Sequence, residues 1–142
     1  MLKLKSLGLS ILAASVVCHS QALASVPEVV LNDFTDFYFW EVNPEMSNNS
    51  IKSHQTQYKK EWLAIKDVLK DRIVWMELYR CYADEGEYGY EIEDYGETIT
   101  AITDAVFYAR RPKLKGRKIT LSETHLIREW NWIKQSFPYS LC

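Results

Sequence analysis

Thr98 to Tyr108 reads TITAITDAVFY, and the reading of this stretch decides the fold. Six of its eleven residues are β-branched and two are aromatic, a mixture that suits a pleated, half-buried strand. Periodicity is ambiguous, because Ile99, Ile102, Val106 and Ala109 also fall at helical intervals. The following segment, Arg110 to Lys118, reads RRPKLKGRK, with six bases in nine residues and Pro112 and Gly116 as breakers. β-branched residues resume at Ile119. Composition and breakers together favour a hairpin whose two strands are joined by a long basic connection.

Downstream, Ser122 would cap a helix carrying Leu126, Trp130, Ile133 and Phe137 on one face. Trp130, Trp132 and Lys134 also alternate against Asn131 and Ile133, as in a strand with two unlike faces. The alternation favours a strand, ended by Pro138.

Upstream lies Asp84 to Glu97, DEGEYGYEIEDYGE, with seven carboxylates, three tyrosines, three glycines and no base. EF-hand spacing fails here: counting from Asp84, the third, fifth and twelfth positions are Gly86, Tyr88 and Tyr95. An irregular calcium site, a solvated connector that touches the basic Arg110–Lys118 segment, and a recognition surface all remain open. The last draws on tyrosine, which offers contact area at low entropic cost, and on carboxylates that complement a basic partner. On that reading the candidate protein-binding residues are Asp84, Glu85, Glu87, Tyr88, Tyr90, Glu91, Glu93, Asp94 and Tyr95.

Before the acidic run the habit is helical. Ile51, Tyr58, Trp62, Ile65, Leu69, Ile73 and Met76 step along one face, which predicts a helix from about Ser53 to Tyr82, with a break near Asp71. The lysines opposite read as its solvated side. An earlier helix is expected from about Val26 to Glu41. Ser25 and Glu28 stand at capping-box spacing, and Asn43-Pro44 stops the helix. Phe34, Phe37, Tyr38, Phe39 and Trp40 cluster on this helix as a core face or a ligand-pocket wall. Asn48-Asn49-Ser50 in the polar link is a glycosylation sequon only in a host that glycosylates. No internal repeat and no low-complexity linker is read from the sequence.

The chain has 142 residues and a formal net charge of −2, which points to one domain. Its start has the form of a secretory signal: Lys3 and Lys5, an uncharged run from Leu7 to Val17, and Ala22-Leu23-Ala24 before a cut after Ala24. The run is too short for a membrane anchor, which needs ~20 apolar residues. Lipid attachment at Cys18 is the other alternative, and the Val17 before it is bulkier than that signal prefers. Residues 1–24 are thus read as a signal peptide and 25–142 as a single globular domain. Removing the signal removes two lysines and no acid, so the net charge becomes −4. That balance argues against nonspecific nucleic-acid binding, which needs a basic face. No membrane span is expected. Cys81 and Cys142 remain, and in an oxidising compartment they are expected to pair.

No G-x-S-x-G, P-loop, dinucleotide-binding glycine pattern or H-E-x-x-H is present. His54 and His125 stand far apart and not at ligand spacing. No catalytic, cofactor-binding or metal-binding residue is therefore assigned. With helices first and a β-rich end, the chain resembles the cone-shaped nuclear-transport-factor-2-like fold, through PEVVLNDFTDFYF (27–39) and HLIREWNWIKQSF (125–137). The resemblance implies that the second piece closes a hairpin. It implies no single activity, because members span enzymes, pocket binders and immunity proteins.

The expected fold is α+β: two or three N-terminal helices packed on a small antiparallel sheet, with an all-α bundle as the alternative. The expected function is an exported, non-catalytic protein that binds and inhibits a toxin or hydrolase, as an immunity protein does. A periplasmic small-ligand pocket protein and a small enzyme with an Asp/Tyr pocket are the alternatives.

Overall fold

A computed structural model of the protein describes residues 26–79 and 86–138. The signal region, Cys81, Cys142, Asp84 and Glu85 lie outside these residues. The element order is α1 (Glu28–Val42), a 3₁₀ turn (Pro44–Met46), α2 (Thr56–Leu69), β1 (Ile73–Tyr79), β2 (Gly86–Ile92), α3 (Tyr95–Arg110), a second 3₁₀ turn (Pro112–Leu114) and α4 (Thr124–Gln135). Among the described residues the architecture is mixed α and β, with four helices and one small antiparallel two-stranded sheet. The chain divides into two compact units, one holding the hairpin Val74–Glu91 and the other holding the helices. Among the described residues no helix is long and apolar enough to cross a membrane.

Among the described residues the helix count exceeds the expected two or three, and the sheet lies elsewhere than expected. Thr98–Tyr108 is not a strand but the body of α3, and the predicted hairpin around the basic segment is absent from it. Its buried residues, Thr98, Ile99, Ile102, Thr103, Val106 and Phe107, make one helical stripe. β-branched residues cost a helix up to ~0.7 kcal/mol each, but packing of a continuous apolar face outweighs that preference. The buried Thr103 hydroxyl is satisfied by the Ile99 carbonyl at 2.7 Å, one turn back.

The last segment is likewise the helix α4 rather than a strand. Its Leu126 and Ile133 are buried, Trp130 is half-buried, and Trp132 is 64% exposed, so the tryptophan alternation does not mark two faces of a sheet. The piece that resembled a closing strand is therefore helical. The long helix expected over Ser53–Tyr82 ends at Leu69. Arg72 N–H donates to the Leu69 carbonyl at 2.9 Å in the turn that follows, and IVWMELY continues as β1. Ile73 and Met76 had fitted the helical stripe only by spacing. The first helix occurs within two residues of its expected bounds and ends at Asn43 before Pro44, but its N-cap is Pro27 with no side-chain capping bond, not the expected Ser25 and Glu28 box.

The helical unit is built from two copies of one motif, which overturns the expectation of no internal repeat. Residues 27–70 and 95–138 align in sequence without a gap at an offset of 68, with ten of 44 positions identical. Each copy is a helix, a Pro-initiated 3₁₀ turn, a loop and a second helix. Asn43 and Arg111, which end α1 and α3, share φ/ψ of −133°/67° and −129°/66°. Asn48 and Gly116 both have positive φ, at 63° and 80°. Trp62 Nε1–H donates to Asp36 Oδ1 at 2.7 Å, and Trp130 Nε1–H to Asp104 Oδ1 at 2.7 Å. Lys66 lies 5.3 Å from the Trp62 ring centroid and Lys134 5.2 Å from that of Trp130. Thr35 repeats the Thr103 bond by donating to the Leu31 carbonyl at 2.7 Å.

The fully buried Phe39 and Phe107, and Ile65 and Ile133, occupy matching core positions. The second helix of copy one, α2, packs on both α1 and α3, which joins the copies. Arg110 adds a polar tie, its Nε donating to the buried Glu61 at 3.0 Å.

The turn before each second helix is also shared, with different chemistry. Gln55 Oε1 accepts the Lys52 N–H at 2.8 Å, and Glu123 Oε1 accepts the Thr120 N–H at 3.0 Å. Glu123 further receives both Nη groups of Arg117 at 2.8 Å. The Arg117 bonds first, then those from Thr120, hold its carboxyl down at about 2. A folded-state value below the unfolded one places the associated stability above pH ~4.3 and removes it as pH falls through about 2. Carbon-detected NMR titration of Glu123 is expected to give a midpoint near 2. Glu123→Gln is expected to keep the turn, because Gln55 holds it in copy one. Glu123→Ala is expected to fray the start of α4, read as faster amide exchange at Leu126 and Ile127.

Candidate functional site

The acidic run Asp84–Glu97 is divided among three structures. Glu87, Tyr88, Tyr90 and Glu91 belong to β2, Glu93 and Asp94 form a turn, and Tyr95 opens α3. Within the hairpin unit, Tyr90 meets Trp75 of β1 edge to face, with ring centroids 4.7 Å apart at 68°. Such pairs add roughly 0.5–1.5 kcal/mol beyond burial, which helps a two-stranded ribbon that is marginal alone. Glu91 is exposed on β2. Among the described residues each strand pairs only with the other, which leaves one backbone edge of each without a strand partner.

Glu93 and Asp94 are exposed where the chain re-enters the helical unit. Glu93 N–H donates to the Arg72 carbonyl at 2.7 Å, which clasps the two crossing points of the inserted hairpin. The Glu93 carbonyl in turn accepts from the Thr98 hydroxyl at 2.8 Å. Asp94 has φ 46°, in the left-handed region that Asp and Asn tolerate better than other side chains. Tyr95 stands apart from the others. Its hydroxyl donates to the Pro138 carbonyl, so this ring ties the start of copy two to its end. Burial pushes the Tyr95 phenol up, and burial first and then Tyr95 push up that of Tyr38, whose hydroxyl makes no hydrogen bond among the described residues. Among the described residues Arg110, Arg111 and Arg117 of the basic segment bond to Glu61, Glu129 and Glu123.

A second site was not singled out in the sequence. An open groove of about 620 Å³ lies in copy one between α1, α2 and the intervening loop. Phe39, Trp40, Trp62 and Leu63 line it beside Asp36, Asn48, Ser50 and Lys59. Trp40 belongs to the aromatic cluster Phe34–Trp40, whose members divide between core and groove. Tyr38 and Phe39 are fully buried, whereas Trp40 is half-exposed at the groove. Trp62 was legible only as part of a core stripe, and Asn48–Ser50 only as a link.

His54, before α2, and His125, on α4, are exposed. Among the described residues no three His, Cys, Asp or Glu side chains converge on a metal-sized site. No family model, curated protein or solved structure matches the chain.

Proposed function

We propose that this chain is an exported, non-catalytic binding protein that inhibits a protein partner, in the manner of an immunity protein, and that its hairpin is the docking element. The observation that carries the reading is the separate β1–β2 unit, which holds the Trp75–Tyr90 pair and the exposed Glu91 on a ribbon whose outer edges pair with no other strand among the described residues. A partner strand can extend such an edge through main-chain hydrogen bonds, while side chains supply specificity. Carboxylates on and beside the ribbon steer a basic partner toward it. Tyr95 is not part of this surface, because its hydroxyl is engaged at Pro138.

The first partner to test is the product of the adjacent gene, where that gene encodes a toxin or secreted hydrolase. Stopped-flow binding at low salt is the measurement. Neutralising Glu87, Glu91, Glu93 and Asp94 together is expected to slow association by about tenfold or more and to flatten its salt dependence. Asp94→Asn keeps the left-handed backbone, so the fold is not the variable. An unchanged association rate would remove the hairpin from the mechanism.

A further inference from the structure

The two copies of the helical motif separate scaffold from surface. Where both carry the same residue in the same bond, as Asp36 and Trp62 match Asp104 and Trp130, the fold accounts for the residue. The groove of copy one keeps that scaffold and differs at its rim. Trp40, Asn48, Ser50, Lys59 and Leu63 there stand where copy two has Tyr108, Gly116, Lys118, Ile127 and Asn131. Asp36 is therefore a clamp on Trp62, and the rim residues are free to serve a ligand.

We propose that this groove is a carbohydrate site that takes a short oligosaccharide along Trp40 and the Asn48–Ser50 loop. Its volume lies within the ~300–1,000 Å³ of ligand clefts. Its wall combines indole surface and Leu63, which is 58% exposed, with amide, hydroxyl and ammonium groups. Among the described residues the Trp40 Nε1–H, the Asn48 amide, the Ser50 hydroxyl and the Lys59 ammonium make no hydrogen bond or ion pair. A purely apolar ligand would cover these groups without satisfying them, and that carries a desolvation cost. A sugar matches both halves of the wall, with C–H faces for the indole and hydroxyls for the donors. The open groove also suits a ligand that stays partly hydrated.

The probes are the N-acetylglucosamine trisaccharide and maltotriose, titrated into the full-length protein and followed by tryptophan fluorescence and amide NMR shifts. Saturable binding of at least one is expected, with shifts centred on Trp40, Asn48–Ile51, Lys59 and Leu63. A preference for one sugar over the other identifies acetamido or plain hydroxyl recognition. The combined variant Trp40→Tyr, Asn48→Gly, Lys59→Ile installs residues that copy two already carries at matching positions. It is expected to bind at least tenfold more weakly with its circular dichroism unchanged. If that variant loses its fold, the shift map of the unaltered protein decides, and shifts centred elsewhere overturn the proposal. So does a lack of saturable binding to either sugar up to about 10 mM, which corresponds to less than ~2.7 kcal/mol of binding free energy. Equal affinity of the folded variant also overturns it. Protection of these amides only by the adjacent gene's product would assign the groove to a protein partner instead.

Discussion

Replacing Arg110 with alanine is expected to lower the unfolding free energy by about 3–5 kcal/mol. The Glu61 carboxylate is 2% exposed. Arg110 Nε donates to its Oε1 at 3.0 Å, while Nη2 reaches the Val42 carbonyl at 3.3 Å and Asn43 Oδ1 at 3.2 Å. One guanidinium thus closes the end of α1, engages α2 and joins the two copies from α3. Without it Glu61 keeps only neutral donors, Asn43 Nδ2 at 3.2 Å and Gln57 Nε2 at 3.2 Å, and a buried charge left without its counter-charge is costly. Arg110→Lys is expected to fall between, because an ammonium cannot reproduce the planar fork. The double variant Arg110→Val, Glu61→Gln is expected to recover much of the loss. Valine is what copy one carries at the matching position 42, and the uncompensated charge is gone. Urea unfolding of the three variants checks the order, and a loss below about 1 kcal/mol for Arg110→Ala would mean that the pair behaves as a solvated one.

How far the sequence carried depended on whether local chemistry and tertiary packing agreed. They agreed at α1, where an apolar stripe runs into Asn43-Pro44, and the helix lies within two residues of its expected bounds. They disagreed at α3. Thr98, Thr100, Thr103 and Val106 prefer strand, and only the burial of one helical face on α2 and α4 reverses that preference. At α4 the chance alternation of Trp130 and Trp132 masked a stripe through Leu126, Ile133 and Phe137. The repeat left a trace in T-D-x-x-F followed by proline five residues later, and in E-W-x-x-I-K, each present twice at an offset of 68. It went unread because the copies differ at most positions and the hairpin lies between them. The acidic run was visible as composition, but its division into strand, turn and helix start depends on where β2 ends. The groove depends on the loop after the 3₁₀ turn lying beside α2, which spacing alone does not encode.

Phe39→Ala and Phe107→Ala are expected to be the most damaging core truncations, at about 3–5 kcal/mol each. Both rings are fully buried and occupy the same position in their copies, so the transfer and cavity terms are alike. The neighbours differ. Phe39 meets Tyr58 of α2 edge to face, with centroids 5.7 Å apart at 87°. Copy two has Leu126 where copy one has Tyr58, and Phe107 instead meets Tyr108 edge to face, with centroids 5.3 Å apart at 80°. Each truncation therefore also removes one aromatic pair, worth roughly 0.5–1.5 kcal/mol beyond its area, and the two costs should be similar. The variant Tyr58→Leu places the copy-two residue in copy one and should lower the cost of Phe39→Ala by about the worth of its pair, with the coupling read from the Phe39/Tyr58 double-mutant cycle. Either truncation removes a large share of the ~5–15 kcal/mol that stabilises a domain of this size, so calorimetric midpoints should fall by about 4–8 °C per kcal/mol. If the copies share one packing scheme, the two alanine variants lose cooperativity together and to similar extents. A Phe107→Ala variant that left the midpoint almost unchanged while Phe39→Ala lowered it would mean that only copy one holds the core.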